Sequence, residues 1–181
     1  MQQKIVLIGG PGTGKTSVIN ELINNGLSCK KEISRQVTLD AKAQGIDQLF
    51  ITSPLLFSEM LLKSREQQFI EAHKSSEQLF FFDRGIPDVE AYLRYAKTEY
   101  PSLFSSKSKE YRYDLVFLFE PWKEIYTKDN ERYETFEEAL LIHQYLKNIY
   151  KELNYTIINV PFASIKERTD FILKKIAYLF K

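Results

Sequence analysis

The sequence predicts an α/β fold in which helices cover both faces of a parallel five-stranded sheet, giving a three-layer sandwich. Short, unbroken apolar runs alternate with helical patterns along the chain, and no repeat or linker interrupts them. Unbroken apolar strands are typical of a parallel sheet buried on both faces, and right-handed crossovers place helices on either side. The strands are predicted at residues 4–8, 27–33, 79–82, 115–119 and 156–160, and the helices at about 15–26, 54–74, 87–96, 135–153 and 164–180.

Length and composition describe an ordinary globular chain. Its 181 residues, 44% hydrophobic and 27% charged, fit one domain spanning residues 1–181. The net charge of +1 gives no electrostatic basis for general nucleic-acid binding, so no nucleic-acid partner is expected. No apolar run approaches the roughly 20 residues that cross a bilayer. Since the N-terminus leads directly into the first strand, leaving no room for a signal peptide, we expect a cytoplasmic protein.

The first predicted strand runs into a phosphate-binding loop. Residues 9–16, GGPGTGKT, match the pattern G-x-x-x-x-G-K-[ST] at every fixed position. The glycines let backbone N–H groups converge on phosphate oxygens, and the helix that follows adds unpaired N–H groups and the positive end of its dipole. Lys15 is predicted to reach the β- and γ-phosphates of ATP, and the Thr16 hydroxyl to ligate Mg²⁺. The predicted nucleotide contacts are Gly10, Pro11, Gly12, Thr13, Gly14, Lys15, Thr16 and Ser17.

The second predicted strand ends in charged side chains. Ligands of open parallel sheets bind beyond the carboxyl ends of the strands, which is where Glu32 and Arg35 fall. Glu32 is predicted to take a proton from an acceptor hydroxyl, and Arg35 to bind an acceptor anion. The alternative is that residues 30–32 are only an exposed charged segment.

The long helix predicted at 54–74 is mainly a core element. Its apolar side chains form a broad stripe: Leu55, Leu56, Met60, Leu61 and Leu62. Of the polar residues that follow, Arg65 is the candidate for a side chain that points into the acceptor pocket.

The third predicted strand ends in Asp83, followed by Arg84. An apolar strand that ends in a carboxylate has the form of a Walker B strand, whose aspartate orients Mg²⁺ or its water shell. Arg84 is predicted to grip an acceptor or a transferring phosphoryl group in bidentate fashion. The alternatives are that Asp83 caps the next turn and that Arg84 forms a structural ion pair.

The fourth predicted strand leads into a polar, lid-like segment at about 120–134. Closure of such a lid would bring a cation onto the phosphates and exclude water. Arg132 is the preferred cation, ahead of Lys123 and Lys128, because residues 129–132 look like a turn that carries an arginine. An ordinary charged loop is the alternative. Trp122, at the start of the segment, is predicted to stack on a base or to pack against the core or lid.

These motifs, in this order, resemble a small P-loop family of AAA-type domains related to the nicotinamide riboside kinase part of NadR. The resemblance rests on residues 9–16, on Glu32-x-x-Arg35, on Asp83-Arg84-Gly85 and on the stretches 120–122 and 155–173. It implies a five-stranded core in the order 2-3-1-4-5, similar to that of nucleoside and nucleoside-monophosphate kinases. It also implies that Asp83 and Arg84 match the Asp/Glu-Arg pair of those kinases, Glu32 their acceptor-side carboxylate and Arg132 a lid arginine.

Three functional hypotheses are consistent with this sequence. The first is a Mg²⁺-dependent kinase that transfers the γ-phosphoryl group of ATP to a small, nucleoside-like molecule or related metabolite, with Lys15, Glu32, Asp83, Arg84 and Arg132 as catalytic residues. The second is a nucleotide-dependent ATPase, switch or binding module that acts on a protein or lipid partner. A degenerate member of the family, which binds ATP without useful catalysis, is a third possibility. The 13 phenylalanines and 11 tyrosines allow an exposed aromatic face, which would support a homodimer.

Overall fold

Five strands pair in parallel in one sheet. The computed structural model describes residues 2–43, 45–46, 49–126 and 134–180. The strands are β1 (Gln3–Ile8), β2 (Ser28–Lys30), β3 (Leu79–Asp83), β4 (Leu115–Phe119) and β5 (Ile157–Val160). Their order in the sheet is β2-β3-β1-β4-β5, and every pair of neighbours is parallel. The predicted fold class and strand order are therefore confirmed.

Helices cover both faces of this sheet. Those of the described residues are α1 (Lys15–Asn24), α2 (Ser34–Ala43), α3 (Leu49–Thr52), α4 (Pro54–Lys74), α5 (Ile86–Tyr95), α6 (Leu103–Glu110), α7 (Phe136–Glu152) and α8 (Ile165–Leu179), with a 3₁₀ helix at Lys123–Ile125. All five predicted helices are present, and their ends differ from the prediction by no more than two residues.

Helices α2, α3 and α6 were not predicted, and β2 is shorter than the predicted 27–33. The three helices are short and bury few side chains. Only Val37 and Ala41 are buried in α2, and only Phe104 among the apolar residues of α6. Two buried positions in one helix give too weak a periodicity to separate it from a loop. The pairing of β2 with β3 ends at Lys30, and the backbone N–H groups of Ile33 and Ser34 donate to the side chain of Glu32 instead.

The alternation of side chains along β1 separates the core into two layers. Val6 and Ile8 pack with residues of α5 and α7 on one face. Ile5 and Leu7 pack with residues of α1 and α8 on the other face. Both faces are therefore apolar, and the polar side chains of the chain's motifs are left to the carboxyl edge, where β1, β2 and β3 end side by side.

None of the helices in the described ranges is long and apolar enough to span a membrane. Exposed apolar side chains occur on α7, at Leu140 and Leu141, and near the C-terminus, at Tyr178 and Leu179. The homodimer stays a prediction.

Candidate active site

The phosphate loop joins β1 to α1 and depends on glycine at positions where no other residue fits. Gly14 has a φ of 82°, in the left-handed region that favours glycine. A Cβ atom there would also lie 2.7 Å from Nη1 of Arg168. A side chain at this position is therefore excluded both by the backbone conformation and by the neighbouring guanidinium.

The ammonium group of Lys15 lies inside the loop. Its Nζ donates to the carbonyl oxygens of Gly9, at 2.9 Å, and Gly10, at 2.8 Å, and to the Thr13 hydroxyl, at 3.1 Å. Burial, together with the charge of Arg84, lowers the pKa of Lys15 to about 7. A cation in this position is stabilised by an incoming anion, as expected of a phosphate-binding lysine.

Thr16 and Asp83 come together as the sequence predicted for a Mg²⁺ site. The Thr16 hydroxyl donates to Oδ2 of Asp83 over 3.0 Å. The strand register places Asp83 opposite Leu7, next to the start of the loop. A Mg²⁺ ion that also binds nucleotide phosphates and water needs only one or two protein oxygens, so this hydroxyl and carboxylate fit such an ion.

Glu32, Arg65 and Arg84 form a partly buried charged cluster beside the loop. Oε1 of Glu32 lies 3.4 Å from Nη2 of Arg65, and its Oε2 pairs with Nε of Arg84. The backbone N–H groups of Ile33 and Ser34 also donate to Glu32, at 2.9 and 3.0 Å. All three charged residues were predicted from the sequence to lie on the acceptor side of the site, and in the structure they are in contact.

Glu32 is held in its ionised form. Burial alone would raise its pKa, but the charges of Arg65 and Arg84 and the hydrogen bond from Ser34 lower the pKa to about 2. A carboxylate with this pKa is a weak base. It can still accept a hydrogen bond from a hydroxyl group and orient that group. A loose phosphoryl-transfer transition state depends more on such positioning than on a strong base.

Arg84 joins the charged cluster to the phosphate loop. Its φ is 75°, which for a non-glycine residue costs about 1–3 kcal/mol. Its Nη1 donates to the carbonyl of Gly9 over 3.3 Å and lies 3.7 Å from Oδ2 of Asp88. The ring of Tyr92 lies 5.4 Å from the guanidinium carbon. Arg84 therefore forms ion pairs with Glu32 and Asp88, as the alternative to a catalytic role predicted. It also contacts the loop, and its catalytic role stays a prediction.

Asp88 is a site residue that the sequence reading missed. It is fully buried, and its Oδ1 accepts from the Tyr150 hydroxyl at 2.8 Å and from the backbone N–H of Gly85 at 3.3 Å. The second of these bonds caps the start of α5 and can be predicted from the sequence, because an acidic residue often stands three positions after the residue that precedes a helix, here Gly85. The bond to Tyr150 joins residues 62 positions apart and has no local signal.

Replacing Tyr150 with phenylalanine is expected to destabilise the protein by about 1–3 kcal/mol, because it leaves a buried carboxylate without its hydroxyl donor. Urea unfolding should show a lower midpoint with an unchanged slope. The matched control is Tyr145→Phe on the same helix, since the Tyr145 hydroxyl has no hydrogen-bond partner among the described residues. Equal midpoints for the two variants would show that the Tyr150–Asp88 bond contributes nothing to stability.

One cavity, with a volume of about 760 Å³, is lined both by the phosphate loop with Asp83 and Arg84 and by a second group of residues. This second group, called the aromatic chamber here, consists of aromatic rings and charged residues: Glu32, Phe50, Phe57, Arg65, Asp88 and Tyr92. The volume of the cavity is in the range of small-molecule sites. Arg84, which contacts both the loop and Glu32, lines the same cavity.

The remaining predicted residues are distributed as follows. Arg35 is exposed at the start of α2 and lines the cavity. Pro11 to Ser17 also line the cavity, whereas Gly10 contacts α7, with the carbonyl of Ala139 3.0 Å from its Cβ position. Arg132 and Lys128 lie outside the described residues, so their predicted lid role stays a prediction. The Trp122 ring packs against Phe162, with centroids 5.3 Å apart.

Comparison with known proteins gives a matching family model and several solved structures with a similar fold. A family model described as an AAA domain matches residues 4–168. Deoxyadenosine kinase from M. mycoides, solved with the products dCMP and dCDP, has a TM-score of 0.74 and 14% identity, over 97% of this chain and 100% of that chain. NadR in complex with NR has a TM-score of 0.73 and 15% identity, over 97% of this chain and 50% of NadR.

Thymidylate kinase from Ehrlichia chaffeensis has a TM-score of 0.62 and 18% identity, over 97% of this chain and 98% of that one. None of the curated proteins compared with the sequence matches it. The predicted resemblance is confirmed at the level of family and fold. The chain belongs to the AAA domain family that the matching model describes, and it has the P-loop fold of nucleoside and nucleotide kinases.

Proposed function

We propose that this protein is a Mg²⁺-dependent kinase that transfers the γ-phosphoryl group of ATP to a hydroxyl group of a small, nucleoside-like molecule. The observation that carries the proposal is the continuous cavity, which has a phosphate loop at one end and an aromatic chamber with an ionised carboxylate at the other. A nucleotide hydrolase needs no such second chamber. A kinase needs one beside the γ-phosphate for its acceptor.

Each group in the cavity has a role in this reaction. Lys15 binds the β- and γ-phosphates, while Thr16 and Asp83 hold the Mg²⁺ that neutralises their charge. Arg84 contacts both the loop and Glu32, so it lies where charge develops on the transferring phosphoryl group. Glu32 accepts a hydrogen bond from the acceptor hydroxyl and aligns it for attack. As the new P–O bond forms and the bond to ADP breaks, the proton of that hydroxyl passes to Glu32, which releases it to water because its pKa is low.

The chemistry of the chamber favours a neutral, flat acceptor. Phe50, Phe57 and Tyr92 offer ring faces or edges for a planar heterocycle, and ionised Glu32 suits a hydroxyl donor better than a second phosphate group. The fold neighbours named for deoxyadenosine kinase and for a complex with NR support a nucleoside-like molecule in this role. Arg35, exposed at the rim, is the group that would meet an anionic substituent.

The test is ADP release from ATP·Mg²⁺ in the presence of a panel of nucleosides, nucleotides and sugars. We expect one chemical class to stimulate release strongly, and removal of Mg²⁺ with a chelator to abolish the stimulation. If no acceptor stimulates release although ATP binds, the kinase proposal is wrong. A nucleotide-dependent module that responds to a protein or lipid partner would then be the better account.

A further inference from the structure

Arg168 is a buried cation that reaches the phosphate loop from the far end of the chain. It lies in the first turn of α8 and is only 5% exposed. Its Nη1 donates to the backbone carbonyl of Thr13 over 3.1 Å, across 155 positions of sequence. The last helix is thereby attached to the loop through a charge-assisted hydrogen bond.

The surroundings of this guanidinium leave its charge unbalanced. Its central carbon lies 5.9 Å from the ring of Phe119 and 5.7 Å from the ring of Trp122, and its buried Nε has no hydrogen-bond partner. Within the described ranges no carboxylate pairs with it, and burial lowers its pKa. Aromatic faces and one carbonyl compensate a buried cation incompletely, so an anion bound at the neighbouring loop would stabilise it further.

The bond to Thr13 also fixes the direction of one N–H group in the loop. In a planar trans peptide the carbonyl and the N–H of the next residue point in opposite directions. Since the Thr13 carbonyl points at Arg168, the Gly14 N–H points away from Arg168. Gly14 has a φ of 82° and, as a glycine, meets little resistance to a flip of this peptide, so its orientation depends on a partner outside the loop.

We propose that Arg168 is a positioning residue for nucleotide binding: it locks the Thr13–Gly14 peptide in the orientation that presents the Gly14 N–H to phosphate, and its charge adds to the field at that site. The proposal rests on phosphate binding by the loop, as in the proposed function, but not on the identity of any acceptor. Arg168 itself need not touch the nucleotide.

The test compares the binding of ATP·Mg²⁺ and of inorganic tripolyphosphate to the wild-type protein, Arg168→Met and Arg168→Lys by calorimetry. Methionine keeps much of the apolar packing against Phe119 and Trp122 but removes the donor and the charge. We expect both ligands to bind about tenfold more weakly to the methionine variant, and lysine to restore part of the loss. The control is Arg112→Met, which removes a guanidinium stacked on Tyr155 at 3.8 Å, before β4 and away from the loop.

A second readout separates positioning from general stability. In ¹H–¹⁵N spectra we expect the Gly14 amide resonance to move in Arg168→Met and in Arg168→Lys, while the amide of Gly26, another left-handed glycine with φ 80°, does not. If the methionine variant does not fold, the lysine variant decides, and an unmoved Gly14 resonance in it would overturn the proposal.

Three outcomes of the binding experiment would contradict the proposal. Unchanged binding of both ligands to the methionine variant would overturn the proposal and leave the proposed function intact. Weaker binding of ATP with unchanged binding of tripolyphosphate would overturn it too, because Arg168 would then act on the nucleoside part. If the wild-type protein binds neither ligand, the proposed function fails together with this inference.

Discussion

Replacing Lys15 with alanine is expected to reduce acceptor-stimulated ADP release by more than about 10²-fold while the protein stays folded. The reduction follows because the ammonium group inside the loop is the charge that binds the β- and γ-phosphates in the proposed reaction. The fold should survive, since removal of a desolvated cation offsets much of the loss of its three hydrogen bonds. The measurement is ADP release together with the urea midpoint of the same preparation.

The control for this variant is Lys4→Ala. Lys4 is another buried lysine, 8% exposed, and it lies on the same strand but at the opposite end from the loop. We expect Lys4→Ala to keep ATP-dependent thermal stabilisation and Lys15→Ala to lose it, because only a ligand that binds the folded state raises its stability. Wild-type activity in Lys15→Ala would show that the ammonium group in the phosphate loop is not required for phosphoryl transfer.

Replacing Glu32 with glutamine is expected to lower turnover by about 10²-fold, because an amide neither aligns the acceptor hydroxyl as well nor balances the two arginines. The variant should also be less stable by about 1–3 kcal/mol. A fully buried pair loses about 3–5 kcal/mol when one partner is removed, but Glu32 is 23% exposed, so water screens part of the effect. Kinetics with the stimulating acceptor and urea unfolding measure the two effects.

Glu71→Gln is the matched control for Glu32→Gln. Glu71 pairs with Lys30 over 2.7 Å, near the same edge strand, but its side chain is 48% exposed. Removing its charge should change stability by less than about 1 kcal/mol and leave turnover unchanged. Equal effects of the two substitutions would show that the charged cluster has no special role at the site.

The low pKa of Glu32 predicts a specific loss of stability in acid. Its pKa of about 2 in the folded protein lies below its ordinary value of 4.5, so the unfolded chain takes up its proton first as the pH falls. The stability that ionised Glu32 contributes is therefore complete above pH 4.5 and is lost progressively toward pH 2. Urea midpoints measured across this range should fall less steeply in Glu32→Gln than in the wild-type protein, and parallel curves would contradict this origin.

Local patterns account for the parts of the site that the sequence predicted. The phosphate loop is a run of fixed spacing with a strand before it and a helix after it, and Asp83 follows directly from the end of an apolar strand. The parallel sheet then carries both to one edge, because neighbouring parallel strands end together. This is why Thr16 and Asp83 meet as expected.

The residues that were missed depend on contacts between distant parts of the chain. Tyr150 and Arg168 lie on helices that read as ordinary amphipathic core helices, and their partners Asp88 and Thr13 are 62 and 155 positions away. Their polar atoms are recognised only when the packing of α7 and α8 is known. The long-range contacts of Glu32 also change its predicted role, since the arginines around it make it a poor base and a good hydrogen-bond acceptor.

The most direct measurement is the fate of a radiolabelled γ-phosphoryl group of ATP in the presence of the acceptor class that stimulates ADP release, with Lys15→Ala as the control. We expect label on a hydroxyl group of the acceptor with the wild-type protein and almost none with the variant. Label recovered only as inorganic phosphate would show that water, not an acceptor in the aromatic chamber, receives the phosphoryl group, and would contradict the proposed kinase activity.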